Sequence, residues 1–398
     1  MQGALETKPP WQRVIRRAVP GTVTFGEWQE TPSIPLLQSK KRISALDSEN
    51  RWELVKKMVN PYELVFTHED KFFHPSIALI KPLSRSYFKM IEMMRFMEFF
   101  EALPKQQPKI RSAHIAEGPG GFIQALVELC QRNKKILESA TAMTLKPVDQ
   151  RVPGWRRASN FLRNHREIKL HYGADGTGDI YKIENQNSFV EATVKTVNIF
   201  TADGGFDFSV NYDIQERCVF HLLLSSAITG LRCMAVDGMF ILKIFDIFSY
   251  STRALIILIS QCFQEWVLYK PSFSRPCNSE RYLLCRGFRS LPRALLQLLQ
   301  RMQVEAARDM YLTDISGYFT KDEVDYFEGH SRANIEEQMK AIEQAEVYAN
   351  QPELWYTNQL PNDFERCKVW CERYHIPYSM KHPIEVPRVK YDILPKKL

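Results

Sequence analysis

The segment from His114 to Phe122 (His-Ile-Ala-Glu-Gly-Pro-Gly-Gly-Phe) constrains this chain more than any other, because it reads as a buried strand that runs into a glycine turn and then a helix. Gly118, Gly120 and Gly121 remove side chains where a ligand must approach the backbone, and Phe122 to Cys130 then carries an apolar helical face. That is the geometry of a nucleotide-type ligand site. A dinucleotide fingerprint needs a further glycine where Ile123 stands, which weakens that reading. A phosphate loop needs Gly-Lys-Ser/Thr, and Gly121 is followed by Phe122 and Ile123, which excludes it. A tight strand-to-helix turn without any ligand remains open at this point.

The periodicity around the turn is that of an α/β protein. Strands are predicted at 112–117, 140–145, 168–172, 196–202 and 238–245, alternating with helices to about 132, around 156–164, near 187–193 and over 215–231. Further strands follow at 266–270 and 282–286, after a helix at 252–263. Alternating βα units imply a mostly parallel sheet with helices on both faces, the two late strands forming an antiparallel edge hairpin, and a ligand at the carboxyl ends of the strands. One long helix is predicted over Tyr87 to Leu103, ending at Pro104, and another from about Ser48 to Met58. Residues 1–45, with several prolines and basic groups but no sustained period, read as an extended basic arm. Residues 46–290 read as the catalytic domain and 291–398 as an extension of helices only.

Composition sets limits rather than a function. With 398 residues, 44% of them hydrophobic, the chain can bury a sizeable core, and 53 basic against 46 acidic residues make it mildly basic, which permits an anionic partner. The longest apolar run, Met239 to Phe248, is interrupted by Lys243 and Asp246, well short of the roughly 20 residues of a membrane span. A soluble chain is expected, with no membrane partner. The lack of an apolar leader-like stretch at the start and the scattered cysteines point to a reducing, intracellular setting.

Two charged positions stand out from their surroundings. Lys243 lies in Phe-Ile-Leu-Lys-Ile-Phe, where apolar neighbours imply a buried strand and an unpaired charge is costly. Asp203 ends a strand in Phe-Thr-Ala-Asp-Gly-Gly.

Over roughly residues 80–288 the chain resembles the FtsJ-type S-adenosylmethionine-dependent RNA 2′-O-methyltransferases, and within them the mRNA cap ribose methyltransferases of eukaryotes and their viruses. The resemblance is carried, in order, by the blocks Ser84 to Lys89, Glu117 to Phe122, Ala142 to Lys146, Asp175 to Ile180, Thr201 to Asp207 with Gln215 and Glu216, Gly238 to Asp246, and Lys270 to Tyr282. It implies a Rossmann-like methyltransferase sheet and S-adenosyl-L-methionine as cofactor. Gly118, Pro119, Gly120, Gly121 and Phe122 would lie against its methionine moiety and ribose, Thr144 and Leu145 would border the adenosine, and Asp179 would face the adenine edge. A carboxylate suits an exocyclic amine; the alternative for Asp179 is a helix cap. His114, where many relatives are acidic, is left out as a buried strand residue.

The same resemblance implies a catalytic set of Lys89, Asp203, Lys243 and Glu280. Lys243, beside the Lys89 ammonium and partly dehydrated, is expected to have a lowered pKa, so that a neutral amine accepts or orients the ribose hydroxyl proton. Asp203 and Glu280 would hold the lysines, and Asp203 would also approach the sulfonium side of the cofactor. Without the family pattern, Lys89 reads as a snorkelling helix residue and Glu280 as a surface charge. Arg275 and Asn278 are candidates for holding the target nucleotide. The implied substrate is the capped 5′ end of mRNA, with modification at the cap 1 position, in the nucleus or, for a virus, in cytoplasm or virion. Partners from a capping complex or the transcription machinery would dock on the extension. An rRNA or tRNA ribose methyltransferase is the alternative within the same chemistry; a non-catalytic RNA-binding subunit is the alternative outside it.

Weaker features remain. Lys146, Arg151, Arg156, Arg157, Arg163, Arg166 and Lys169, interleaved with Trp155 and set against Asp149 and Glu167, suit an RNA strand or a solvated helix face. Cys367, Cys371, His375 and His382 lack the spacing of a zinc site and read as core packing, so no metal is expected. The acidic stretch within 332–350 reads as an exposed helix face.

Overall fold

The computed structural model describes residues 9–49, 51–67, 76–104, 107–146, 154–193, 196–205, 214–315 and 317–381. The strands are β1 (Gln12–Arg13), β2 (Thr24–Gly26), β3 (Lys109–Ile115), β4 (Ile136–Met143), β5 (Ile168–His171), β6 (Val197–Ala202), β7 (Met234–Ile244), β8 (Glu265–Tyr269), β9 (Arg281–Arg286) and β10 (Tyr311–Asp314). Eight of them form one sheet in the order β1-β8-β9-β7-β6-β3-β4-β5. The run from β7 to β5 is parallel, whereas β9, β8 and β1 join antiparallel. The expected mostly parallel α/β sheet is therefore present.

Period-two alternation separates the two faces of this sheet. Phe240, Leu242 and Ile244 of β7 pack into a core with the helices Gln215–Cys233 and Tyr250–Ser260. Met239 and Ile241 face the other way, toward Phe88 and Ile91 of the helix Ser86–Phe96 and Phe122 and Leu126 of the helix Gly121–Arg132. The C-terminal helix Leu360–Arg373 adds Phe364, Cys367, Trp370 and Cys371 to that second core.

Several sequence expectations are corrected. The proline-containing N-terminal stretch is not simply extended: Ser33 caps a helix Ile34–Ser48 that takes Pro35 in its first turn, where a missing N–H does no harm. The same stretch supplies β1, the outer edge of the sheet, so β9 lies inside it between β7 and β8 and the late hairpin is not the edge. It also supplies β2, which pairs with β10, a strand within the region expected to hold helices only. The long helix expected over Tyr87 to Leu103 is interrupted: Glu98 takes a left-handed φ of 54°, leaving Ser86–Phe96 and the short helix Phe99–Ala102. The helix expected from Arg332 starts earlier and spans Lys321–Asn350 behind a Thr320–Glu323 capping box. Asp149, Arg151, Asp207 and His382, named above from sequence, lie outside the described residues.

Candidate active site

The glycine turn leaves β3 at its carboxyl end. Gly120 caps the following helix at φ +103°, a conformation that L side chains rarely adopt, and Pro119 follows Gly118 across a cis peptide bond. Not every glycine here clears room for a ligand. A Cβ on Gly121 would overlap the hydroxyls of Ser84 and Ser86, so this glycine serves close packing between two helices, and one on Gly120 would come 3.1 Å from the Trp155 ring. Phe122 is fully buried, its ring centroid 5.9 Å from that of Tyr282, so only its backbone faces the turn. Thr144 is buried and Leu145 exposed just past β4. Gly178, at φ +71°, packs so tightly on the Thr144 carbonyl that any Cβ would overlap it. Asp179 is half-buried and accepts from the backbone N–H of Tyr181 at 2.9 Å, a local turn contact; the next helix starts only at Ile183, so Asp179 is not its cap.

One strand further along, the structure brings Lys89, Asp203, Lys243 and Glu280 together. Alternation along β7 puts Lys243 on the face of Met239 and Ile241, the face covered by the helix that carries Lys89. Asp203 directly follows β6, the parallel neighbour of β7. Glu280 directly precedes β9; because that strand is antiparallel, its first residue lies opposite Ile244 at the end of β7. Lys243 Nζ donates to the Asp203 carbonyl at 3.0 Å and sits 3.3 Å from Asp203 Oδ1 and 3.9 Å from Glu280 Oε2. Lys89 Nζ donates to Glu280 Oε1, which also accepts from the Ser274 hydroxyl at 2.6 Å. All four side chains are largely withdrawn from water, with 10–14% of each exposed.

The electrostatics correct one expectation. Burial by itself would lower the Lys243 pKa, but the Asp203 and Glu280 carboxylates outweigh it and the net direction is upward. The Lys89 ammonium, invoked to push Lys243 down, is instead engaged by Glu280. Burial would raise the Glu280 carboxyl, yet Lys89 and Lys243 hold it far below the usual carboxylate range. The cluster therefore rests as alternating ammonium and carboxylate groups.

Sequence reasoning missed residues that hold this set in place. The Tyr282 hydroxyl donates to Asp203 Oδ1 at 2.7 Å, and burial followed by the nearby Asp203 and Glu280 charges drives its pKa well up, so it stays a donor. Behind the turn, buried Glu117 accepts from Thr201 and lies 3.0 Å from His114 Nδ1; burial is the largest influence on its carboxyl, which is raised. His114 is buried, as expected, between Ser112 and Thr201. Tyr282 closes the Lys270 to Tyr282 block, but its place opposite Lys243 comes from register, which is a property of the paired sheet.

The substrate candidates are placed unevenly. Arg275 is held by Glu63 through Nη2 at 2.8 Å and Nε at 3.2 Å, which engages much of its fork. Asn278 is exposed and its side chain accepts from the Glu280 N–H at 3.2 Å. Arg156, Arg157, Arg163, Arg166 and Lys169 are exposed, but Trp155 is buried against Gly120 and cannot stack on a base. Cys367 and Cys371 are buried in the core, and among the described residues no three His, Cys, Asp or Glu side chains converge as a metal site.

Residues 82–288 match the family described as FtsJ-like methyltransferase. The chain belongs to that family. A cap-specific mRNA (nucleoside-2′-O-)-methyltransferase 1 of Trypanosoma cruzi is 30% identical over 277 residues, covering 67% of this chain and 71% of the relative. The proteins of the same name from Xenopus laevis and Trypanosoma brucei brucei are 31% and 34% identical, over 64% and 49% of this chain. The chain spans 30% of the Xenopus relative and 51% of the T. brucei one. In this FtsJ-like chain, the glycine turn and the Lys89, Asp203, Lys243 and Glu280 cluster all fall inside the matched segment, whereas Glu63 and the helix Leu360–Arg373 lie outside it.

Proposed function

We propose that this chain is an S-adenosyl-L-methionine-dependent mRNA (nucleoside-2′-O-)-methyltransferase acting on the cap-proximal ribose, at the cap 1 position, of a capped transcript. The observation that carries the reading is the buried Lys89–Glu280–Lys243–Asp203 chain of charges at the strand ends beside the glycine turn. The residues present fit the cofactor. Exposed Leu145 lies against Gly178, the residue before half-buried Asp179, and the indole Nε1 of Trp155, whose ring packs on Gly120, is buried without a partner among the described residues. Gly118 to Phe122, Thr144, Leu145 and Asp179 would hold it, with Asp203 toward its reactive side. When bound, the cofactor supplies an electrophilic methyl group.

The chain's own residues then have to orient a weakly acidic hydroxyl and remove its proton. Orientation alone supplies on the order of 7 kcal/mol when the geometry is right. The Lys243 ammonium is placed to donate to the hydroxyl oxygen, and its deprotonated fraction to take the proton; Lys89, Glu280 and Asp203 fix its position. A Cβ on Gly205 would stand 3.3 Å from Lys243 Nζ, so glycine there keeps the approach to the amine open. Capped-RNA specificity follows the named relatives. A nuclear location, and docking of capping or transcription proteins on residues 291–398, complete the reading. Capped and uncapped RNAs of identical sequence test it, with the methylated nucleotide mapped: transfer to the first ribose of the capped RNA alone is expected. Equal turnover on uncapped RNA refutes the cap assignment, and full turnover by Lys243→Ala refutes the lysine's role.

A further inference from the structure

We propose that Glu63, outside the matched family segment, is a positioning residue that sets the Lys89–Glu280 contact by tying together the two elements that carry it; the proposal rests on the methyltransferase reading above. Its carboxylate is almost wholly buried, with 1% exposed, and takes two guanidinium groups at once. Arg85 Nη1 lies 2.9 Å from Oε1, Arg275 Nη2 lies 2.8 Å from the same oxygen, and Asn60 Nδ2 donates to Oε2 at 2.6 Å. Arg85 immediately precedes the helix Ser86–Phe96, one turn before Lys89. Arg275 adjoins Ser274, whose hydroxyl binds Glu280. The helix end and the loop are thus pinned to one anion, and Lys89 and Glu280 meet because of it.

The arrangement is built to stay charged and to stay closed. Burial would raise the Glu63 carboxyl, but Arg85 and Arg275 bring it down to about 2, so the anion persists throughout the neutral range. Arg85 also donates to the carbonyls of Phe66 at 2.6 Å and Phe273 at 3.2 Å, closing the segment around Glu63 onto the loop. Removal of the Glu63 charge leaves two like charges facing each other in a dry site, which drives the helix end and the loop apart. The first half of the loop has its own anchor: Glu92, one turn beyond Lys89, accepts from the Ser272 N–H at 2.8 Å and the Tyr269 hydroxyl at 2.7 Å. Loss of the Glu63 charge therefore disturbs residues 273–280 selectively rather than the whole loop.

The test compares Glu63→Gln with the unaltered chain on a capped RNA, with turnover normalised to cofactor-binding sites counted by calorimetry. The expected result is a kcat at least tenfold lower, with the KM for capped RNA and the cofactor Kd within about twofold. A role in stability alone would lower the melting temperature and leave kcat per binding site unchanged, and that outcome overturns the proposal. Should Glu63→Gln not fold, Arg275→Lys decides the matter, because it keeps the charge and loses the two-pronged contact: a kcat reduced severalfold supports the proposal and an unchanged kcat overturns it. Absence of turnover by the unaltered chain on capped RNA removes the methyltransferase reading and this proposal together. Turnover by the unaltered chain that Glu63→Gln matches removes this proposal alone.

Discussion

Replacing Tyr282 by Phe deletes one oxygen atom from the centre of the site and leaves the ring's packing on Phe122 in place. The hydroxyl is fully buried and donates to Asp203 Oδ1 at 2.7 Å, the same oxygen that lies 3.3 Å from Lys243 Nζ. A hydrogen bond to a charged acceptor contributes about 1.5–3 kcal/mol net. Asp203 keeps 14% of its side chain exposed, so water partly replaces the lost donor, and about 1.5–2 kcal/mol of stability is the expected loss. With one donor gone, the carboxylate rotates more freely against Lys243. If the same energy is expressed in the transition state, kcat falls about tenfold, at about 1.4 kcal/mol per decade. Urea unfolding and single-turnover methyl transfer read the two effects separately. A Tyr282→Phe protein with the unfolding midpoint and the single-turnover rate of the unaltered chain would refute the claim that this hydroxyl holds Asp203.

Two further outcomes depend on pH. Because Lys243 is held above its ordinary value near 10.5, its contribution to stability is complete below that value and is lost only as pH rises through the higher folded one. Across neutral pH the protein's stability should therefore not vary on its account, while the single-turnover rate should climb with pH as the neutral amine becomes populated; a rate flat from pH 6 to about 9 counts against proton removal by Lys243. Glu216 behaves in the same sense, but within the neutral window. Burial lifts its carboxyl to about 7 although it accepts from the Phe248 and Ser249 N–H groups at 2.8 and 3.0 Å, so folding loses about 3 kcal/mol as pH rises from about 4.5 to 7. Glu216→Gln should flatten that slope in urea titrations at different pH, and an unchanged slope would show that Glu216 is not its source.

The local parts of the fold were legible from sequence for physical reasons that differ between elements. The apolar run Phe240 to Phe245, broken only by Lys243, announced a strand buried on both faces, and the apolar stripe of Phe122 to Cys130 announced a helix, because both patterns depend only on which sides of the element meet the core. The N-terminal stretch was not legible. Its two-residue strand β1 exists only because β8 presents an open edge, and β2 only because β10 lies beside it; neither carries a periodic pattern of its own. Gly121 was assigned to ligand approach because the sequence does not reveal that Ser84 and Ser86 lie against it. Tyr282 and Glu63 escaped notice because their importance lies in partners distant along the chain.

By itself, the sequence determined the strand, turn and helix at about 112–132, the α/β alternation around them, and the residue types available for methyl transfer. Each of these follows from short-range periodicity, from backbone freedom at Gly120, or from a charge such as Lys243 set among apolar neighbours. Only the tertiary structure decided that Lys89, Asp203, Lys243 and Glu280 meet, since that requires β6 parallel and β9 antiparallel to β7 in one register, with a helix laid across the correct face. It also decided the sign of the Lys243 shift. That sign depends on which charges lie nearest, and distances of 3.3 and 3.9 Å to two carboxylates exist only once the chain is folded.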